Sequence, residues 1–129
     1  MNDERPTTQF HVNSRGQRLA YEYLRGKSPM VVFLSGYASD MTGSKAEHLA
    51  HQCQTWGQAF LRLDYSGHGQ SEGRFVDGTI GDWAADATEV ITHVSRDPCL
   101  LVGSSMGGWI MLLVALTIPE RVAGLVGIA

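Results

Sequence analysis

The chain has 129 residues, of which 43% are hydrophobic, and its 10 Lys and Arg against 13 Asp and Glu give a formal net charge of −3. This length and apolar content fit one domain with a single core. Charges of both signs are interspersed, which argues against the binding of nucleic acid or of an anionic membrane surface. The apolar run at residues 109–116 is too short to span a bilayer.

The N-terminus and the cysteines favour a cytoplasmic protein. Residues 1–10, MNDERPTTQF, carry Asp3 and Glu4 and lack an apolar core, which argues against a signal or transit peptide. The two cysteines are Cys53, in a predicted helix, and Cys99, at the start of a predicted buried strand. Free buried thiols are favoured over a disulfide at such positions, so we expect a reducing, cytoplasmic environment.

The N-terminal residues predict an antiparallel hairpin at the edge of a sheet. Gln9–Val12 and Arg18–Leu24 have the composition of strands and flank turn residues at 13–16. The polar segment 25–29 is predicted to be a loop. We therefore assign residues 1–29 to this edge hairpin.

Residues 30–129 are predicted to form alternating strands and helices of the same domain. Strands are expected at residues 30–34, 59–63, 99–102 and 122–129. The apolar runs among them are typical of strands buried on both faces of a parallel sheet. This alternation predicts an α/β fold, in which helices cover both faces of a mostly parallel sheet.

Two helices carry N-terminal capping signals. Ser44 and Glu47 have the spacing of a capping box for a helix that ends before Gly57, and Thr79 and Asp82 have it for a second helix. The apolar positions at helical spacing are Ala46, Leu49, Ala50, Cys53 and Trp56 in the first helix, and Trp83, Ala87, Val90, Ile91 and Val94 in the second.

Residues 99–118, CLLVGSSMGGWIMLLVALTI, predict a strand, a sharp turn and a central apolar helix that Pro119 ends. Residues 103–107 match G-x-S-x-G, the pattern of a nucleophile elbow, in which a serine occupies a strained turn between strand and helix. A simple Gly/Ser turn is the alternative, because the pattern alone is common. The buried strand before it and the long apolar helix after it favour the elbow, with Ser105 above the sheet.

Three segments resemble the α/β-hydrolase superfamily at matching places in chain order: LSGYASDMTGSKA from Leu34, LDYSGHGQSEG from Leu63 and LVGSSMGGWIMLL from Leu101. They are most similar to the branch that contains the mitochondrial acyl-protein (palmitoyl) thioesterases and their bacterial relatives. The resemblance implies a serine hydrolase that cleaves acyl esters or thioesters of small-molecule or acylated substrates through an acyl-enzyme, without a cofactor.

The same resemblance implies the roles of three residues. Ser105 is the nucleophile, and the backbone N–H groups of Tyr37 and Met106 form the oxyanion hole. The side chains of Tyr37 and Met106 are also candidates for the wall of an acyl pocket, the alternative being ordinary loop and helix-start positions.

One departure from the family pattern is evident. A full hydrolase of this type supplies an Asp or Glu and then a His after the nucleophile, whereas residues 106–129 contain Glu120 but no Asp or His. The sequence therefore predicts the N-terminal part of a hydrolase domain, truncated after the strand that follows the nucleophile helix. A non-catalytic fragment or binding module with the first half of the fold is the alternative. We expect residues 1–129 alone to associate through an exposed strand edge and not to turn over esters.

Other polar residues are further candidates for catalytic or metal-binding groups. His68 lies in a loop at the active edge, where a solvated turn histidine is favoured over a substitute base. His48 and His51 have nearly the spacing of metal ligands, but no third ligand converges, so a polar helix face is favoured. Asp64 and Asp77 are alternative acids, although carboxylates in such loops more often accept hydrogen bonds from local backbone.

Nucleotide binding is disfavoured by the glycine motifs. The segment that begins at Gly67 fails G-x-G-x-x-G because Glu72 occupies its last position, and the GSSMGG run has no P-loop lysine. No cofactor and no metal are predicted.

Overall fold

The computed structural model describes residues 6–129, so Asp3 and Glu4 lie outside the described residues. Its six strands are β1 (Gln9–Val12), β2 (Arg18–Leu24), β3 (Lys27–Leu34), β4 (Gln58–Leu63), β5 (Cys99–Ser104) and β6 (Val122–Ile128). Its three α-helices are α1 (Ser44–Trp56), α2 (Ile80–Val94) and α3 (Met106–Thr117). The six strands form one sheet in the order β1-β2-β4-β3-β5-β6. The β1–β2 and β2–β4 pairs are antiparallel, and the other three pairs are parallel.

Helices cover both faces of this sheet, as the sequence predicts. Met30, Val32 and Leu34 point to the face that packs against α2 and α3, in the larger apolar cluster. Val31 and Phe33 alternate to the opposite face, where they pack with residues of α1. The α/β fold class is therefore confirmed.

The predicted loop at residues 25–29 is wrong in its second half, because β3 begins at Lys27. The Lys27 amide donates to the carbonyl of Gly57 at 2.8 Å. The Gln58 side chain donates to the carbonyls of Lys27 and Pro29, at 3.1 and 2.6 Å. These bonds to the neighbouring strand extend β3 through a polar, proline-containing segment that composition alone assigns to a loop.

Helix α1 has the predicted bounds but not the predicted capping box. Gly43 is its N-cap, and no side chain binds the free amides of the first turn. Glu47 instead pairs with the buried Arg62 at 3.0 Å, so its carboxylate is directed toward the sheet. The second box is confirmed: the Asp82 amide donates to Thr79 Oγ1 at 3.1 Å, and the Thr79 amide donates to Asp82 Oδ2 at 3.3 Å.

Apolar side chains at the end of α1 and in β6 are more exposed than the sequence predicts. Trp56, the last position of the α1 stripe, is 59% exposed. The sequence predicts a buried β6, yet Leu125 and Val126 are 41% and 44% exposed. The reason is its place in the sheet, since β6 pairs with β5 on one side and with no other strand among residues 6–129.

The predicted free, buried state of Cys53 and Cys99 is confirmed.

A buried carboxylate holds the N-terminal hairpin against the rest of the fold. Asp86 of α2 is fully buried, and its Oδ1 accepts hydrogen bonds from Asn13 Nδ2 at 2.9 Å and Arg15 Nη2 at 2.8 Å. Its Oδ2 accepts the backbone amide of Ser66 at 2.9 Å. One side chain thus joins the hairpin turn, helix α2 and the loop after β4.

We predict that Asp86→Ala lowers the free energy of unfolding by about 3 kcal/mol, because three donors lose their acceptor and two of them are largely buried. Urea denaturation measures this change. The matched control is Asp77→Ala: the Asp77 side chain is 66% exposed and lies 3.8 Å from Arg74, so a change below about 0.5 kcal/mol is expected. Equal effects of the two substitutions would contradict the prediction.

Candidate active site

Three loops meet at one edge of the sheet. Strands β3, β4 and β5 are parallel, so their carboxyl ends lie together, and ligand sites of open α/β sheets form at this edge. The loops that follow these strands carry Tyr37, His68 and Ser105.

Ser105 occupies the sharp turn between β5 and α3. Its backbone has φ 56° and ψ −119°, a strained conformation for a residue with a side chain. The turn is held from two sides, since the Ser105 amide donates to the carbonyl of Ile128 and the Gly108 amide donates to the carbonyl of Ser105, both at 2.8 Å. The side chain is exposed at the sheet edge. The predicted elbow conformation is therefore confirmed.

The glycines on either side of Ser105 are required by close backbone approach. A Cβ on Gly103 would overlap the carbonyl of Gly107, and a Cβ on Gly107 would overlap the carbonyl of Leu34. Helix α3 therefore starts in direct backbone contact with the end of β3 and with the strand that precedes it. This contact places the elbow at the carboxyl ends of β3 and β5.

The loop after β3 lies directly beside the elbow. A Cβ built on Gly36 would be 3.4 Å from Ser105 Cβ and 3.3 Å from the carbonyl of Ser104. Tyr37 follows, with a side chain that is 64% exposed. Among the backbone hydrogen bonds of residues 6–129 outside helices and strands, none uses the Tyr37 amide. The structure thus brings the Tyr37 loop next to Ser105, while a common position to which the Tyr37 and Met106 amides both point stays a prediction.

The prediction of a solvated His68 is wrong, because the side chain is 3% exposed. Its ring makes edge contacts with Tyr65, Phe75 and Trp83, at centroid distances of 5.4, 5.1 and 4.9 Å. Its Nδ1 lies 3.1 Å from the carbonyl of Ser66, and its Nε2 has no hydrogen-bond partner. Tyr65 is three residues away, but Phe75 comes from a later part of the loop and Trp83 from α2, and local composition does not reveal these two contacts.

The same aromatic cluster reaches the Tyr37 loop. Phe75 packs against Trp83 on one side, and its ring lies 5.0 Å from that of Tyr37 in an edge contact on the other. The exposed Tyr37 side chain is thus supported by residues that belong to the α2 side of the sheet. Sequence reasoning missed this role of Phe75.

Asp64 connects two of the loops. It is 1% exposed, and its carboxylate accepts the backbone amides of Met41 at 2.8 Å and of Gln70 at 2.9 Å. Burial raises the pKa of Asp64, and these two hydrogen bonds act against that shift. The preference for local backbone bonding over an acid role is therefore confirmed for Asp64, while Asp77 is exposed.

Two cavities flank the first turn of α1. An apolar groove of about 680 Å³ runs between α1 and β5–β6 and includes His48 in its wall. A smaller polar pocket of about 250 Å³ lies at the start of α1 and includes Ser35 and Ser104.

Among residues 6–129, no three His, Cys, Asp or Glu side chains are placed to hold a metal ion. In the same range, every helix is too short or too polar to cross a bilayer.

Comparison with known proteins agrees with this geometry. The profile of the serine aminopeptidase S33 family (Hydrolase_4) matches residues 27–129. Mouse palmitoyl-protein thioesterase ABHD10, mitochondrial, is 42% identical over 126 residues, which are 98% of this chain and 42% of that protein. Mouse monoglyceride lipase is 33% identical over 124 residues, which cover 89% of this chain and 40% of the lipase. The solved structure of mouse alpha/beta hydrolase domain-containing protein 10 matches with a TM-score of 0.90 and 42% identity, over 94% of this chain and 48% of that one.

A mostly parallel sheet with helices on both faces and a strained serine elbow defines an α/β hydrolase. The chain belongs to this superfamily, in the Hydrolase_4 family and the branch of the ABHD10 thioesterases. The resemblance inferred from the three segments is confirmed. The chain spans about two fifths of the length of the curated relatives described above. These relatives are named as thioester and ester hydrolases.

The expected cytoplasmic location is wrong. The matching thioesterases from mouse, rat, cattle and human are all named mitochondrial, which contradicts the expectation. The physical reason for the error is that Cys53 and Cys99 are buried. A thiol shielded by the core gives little information on the compartment around the protein.

We predict that Gly107→Ala destabilises the fold by about 1–3 kcal/mol, because the added methyl group overlaps backbone that has little room to move. Gly108→Ala is the matched control, since a Cβ there lies 3.9 Å from its nearest neighbour, the carbonyl of Gly103. This second substitution is expected to be neutral or to stabilise by up to about 1 kcal/mol through helix propensity. Thermal and urea unfolding of both variants checks the contrast, and destabilisation by Gly108→Ala alone would contradict it.

Proposed function

We propose that this protein is a serine hydrolase that cleaves an acyl ester or thioester, with Ser105 as the nucleophile. The observation that carries the proposal is the strained backbone of Ser105, at φ 56°, which exposes its side chain at the carboxyl edge of the sheet. In this reaction Ser105 Oγ attacks the substrate carbonyl carbon, and the C–O or C–S bond to the leaving group breaks. Water then hydrolyses the acyl-enzyme and regenerates the serine.

The backbone amides of Tyr37 and Met106 are proposed to bind the oxyanion of the tetrahedral intermediate. Met106 is the first residue of α3, so its amide has no partner within the helix and benefits from the positive end of the helix dipole. Gly36 brings the Tyr37 loop within van der Waals distance of Ser105. Preorganised amides of this kind stabilise the transition state by about 2.7–4 kcal/mol each.

The general base is proposed to come from outside these 129 residues, in the family order of Ser, Asp or Glu, then His. Two observations support this. The His68 ring is enclosed by aromatic side chains and its Nδ1 faces the carbonyl of Ser66. Both carboxylate oxygens of Asp64 already accept backbone amides. These contacts favour structural roles for His68 and Asp64 over proton transfer from Ser105.

Ester and thioester bonds are preferred over peptide bonds as the substrate class. The description of the matching family names a serine aminopeptidase. The relatives at 42% and 33% identity, however, are named thioesterase and monoglyceride lipase. A non-catalytic module with the same fold is the competing possibility. Covalent reactivity of Ser105 separates the two.

We predict that a fluorophosphonate probe labels the purified full-length protein and that Ser105→Ala abolishes the labelling. The neighbouring Ser104→Ala is the matched control and is expected to retain it, because Ser104 is the last residue of β5 and not the elbow residue. Mass spectrometry of the labelled peptide identifies the site. Labelling that persists in Ser105→Ala, or that disappears only in Ser104→Ala, contradicts the assignment.

We also predict that Tyr37→Pro lowers kcat for a p-nitrophenyl ester by about 10²–10³-fold, because proline has no N–H to donate to the oxyanion. Tyr37→Ala retains the amide, so a much smaller loss of kcat is expected. Thermal unfolding of both variants confirms that the fold is kept. In a crystal structure of the phosphonate adduct, a phosphonyl oxygen remote from the Tyr37 and Met106 amides would show that the oxyanion hole lies elsewhere.

A further inference from the structure

The loop that carries Tyr37 contains a strained turn. The Ser39 amide donates to the carbonyl of Gly36 at 3.1 Å and closes this turn. Tyr37 and Ala38 are its two central residues, and Ala38 has φ 54°, in the left-handed region that favours glycine. A residue with a side chain keeps such a conformation only where its surroundings hold it. The contacts that hold this loop therefore determine where the Tyr37 amide points.

The direction of that amide follows from the peptide group to which it belongs. The Tyr37 N–H and the Gly36 carbonyl are parts of one planar trans peptide group and point in opposite directions. Because the carbonyl accepts the Ser39 amide, the Tyr37 N–H points away from the interior of the turn. A rotation of the preceding peptide group, between Ser35 and Gly36, would change this direction.

Tyr65 holds that preceding peptide group. It lies two residues after β4 and is fully buried. Its hydroxyl donates to the carbonyl of Ser35 at 2.9 Å. The same carbonyl lies against the first turn of α3, since a Cβ built on Gly107 would be 2.9 Å from its oxygen. The Tyr65 hydroxyl is thus bonded to a carbonyl that lies between the Tyr37 loop and the serine elbow.

The chain neighbours of Tyr65 anchor the other end of the loop. Asp64 accepts the Met41 amide at 2.8 Å, and Arg62 Nη1 donates to the Met41 carbonyl at 3.0 Å. Met41 itself is fully buried. Residues 35 and 41 are therefore both held by side chains from the end of β4 and the two residues after it. Of these anchors, the Tyr65 hydroxyl is nearest in the chain to the Tyr37 amide.

The Tyr65 hydroxyl is suited to hold a position and not to transfer a proton. Burial raises the pKa of Tyr65 above its usual range, so the group stays protonated and remains a donor in neutral solution. Its ring makes an edge contact with His68, at a centroid distance of 5.4 Å, which restricts the direction of the hydroxyl. Its contribution to a reaction at Ser105 is therefore indirect.

We propose that Tyr65 is a positioning residue of the oxyanion hole and directs the Tyr37 amide through its hydrogen bond to the Ser35 carbonyl. The inference rests on the proposed function, because it takes the Tyr37 amide as a donor to the oxyanion. It deepens that function by assigning the geometry of this donor to a buried side chain of the loop after β4.

Tyr65→Phe tests the proposal, because it keeps the ring and removes the hydroxyl. In the full-length protein, kcat for a p-nitrophenyl ester is expected to fall about tenfold, less than in Tyr37→Pro, since the amide is displaced and not removed. The ratio kcat/KM should fall equally, because an oxyanion donor acts on the transition state. Tyr21→Phe is the matched control: it removes another buried tyrosine hydroxyl, bonded to Gln9 at 3.1 Å, and should retain kcat. Unchanged kcat in Tyr65→Phe, or an equal loss in Tyr21→Phe, overturns the proposal.

A double-mutant cycle separates positioning from a general loosening of the fold. Tyr37→Pro has no amide to direct, so adding Tyr65→Phe to it should lower kcat no further. Tyr37→Ala retains the amide, so adding Tyr65→Phe to it should again lower kcat about tenfold. All variants are assayed below the melting temperature that thermal unfolding gives for each. A tenfold loss in both backgrounds would show that Tyr65 acts by another route and would overturn the proposal.

Two further measurements separate failure of this proposal from failure of the proposed function. Ser105 labelling in the unmodified protein together with unchanged kcat in Tyr65→Phe refutes the positioning role alone. Absence of labelling refutes the nucleophile, and with it the oxyanion role. A crystal structure of the unmodified phosphonate adduct needs no variant: the Tyr65 hydroxyl should lie within about 3.2 Å of the Ser35 carbonyl, and the Tyr37 amide within the same distance of a phosphonyl oxygen. An adduct that lacks either contact overturns the proposal.

Discussion

The close contact between the backbone of α3 and the end of β3 is the constraint on which the site depends. Only a glycine at position 107 lets the helix start against the carbonyl of Leu34, and only a glycine at position 103 lets the strand pass beneath it. Because the helix begins so close to the sheet, Ser105 has to take a positive φ. The strain at the serine is therefore a product of packing between main chains, and the apolar core below maintains it.

The loops around Ser105 are positioned by buried groups that take no part in the proposed reaction. Asp64 ties the loop after β3 to the loop after β4 through two backbone amides. His68 and Phe75 extend the contact from the core residue Trp83 to the exposed Tyr37. Asp86 fixes the start of the same loop from α2. These buried side chains contact either backbone amides or aromatic rings of the loops. The loops are therefore held in shape, while their outward side chains make none of these contacts.

Sequence reasoning succeeded where the signal is local and failed where a distant residue decides. The bounds of α1, the capping box at Thr79 and the elbow at Ser105 follow from short-range spacing, and all are present. The start of β3 depends on the Gln58 side chain, and the burial of His68 depends on Trp83. The exposure of β6 depends on the lack of a second neighbouring strand among residues 6–129. None of these partners is close in sequence to the residue it affects, so no window of the chain predicts them.

The hydrogen bond from the Ser105 amide to the carbonyl of Ile128 links the elbow to the last residue of β6, which pairs with β5 alone among residues 6–129. Edge strands fray more readily than central ones, because only one neighbour holds them. Each opening of the end of β6 therefore removes one of the two backbone bonds that hold the strained serine turn. The lifetime of the strained conformation of Ser105 is in this way tied to the local unfolding equilibrium of β6, and whatever stabilises the end of β6 also stabilises the elbow.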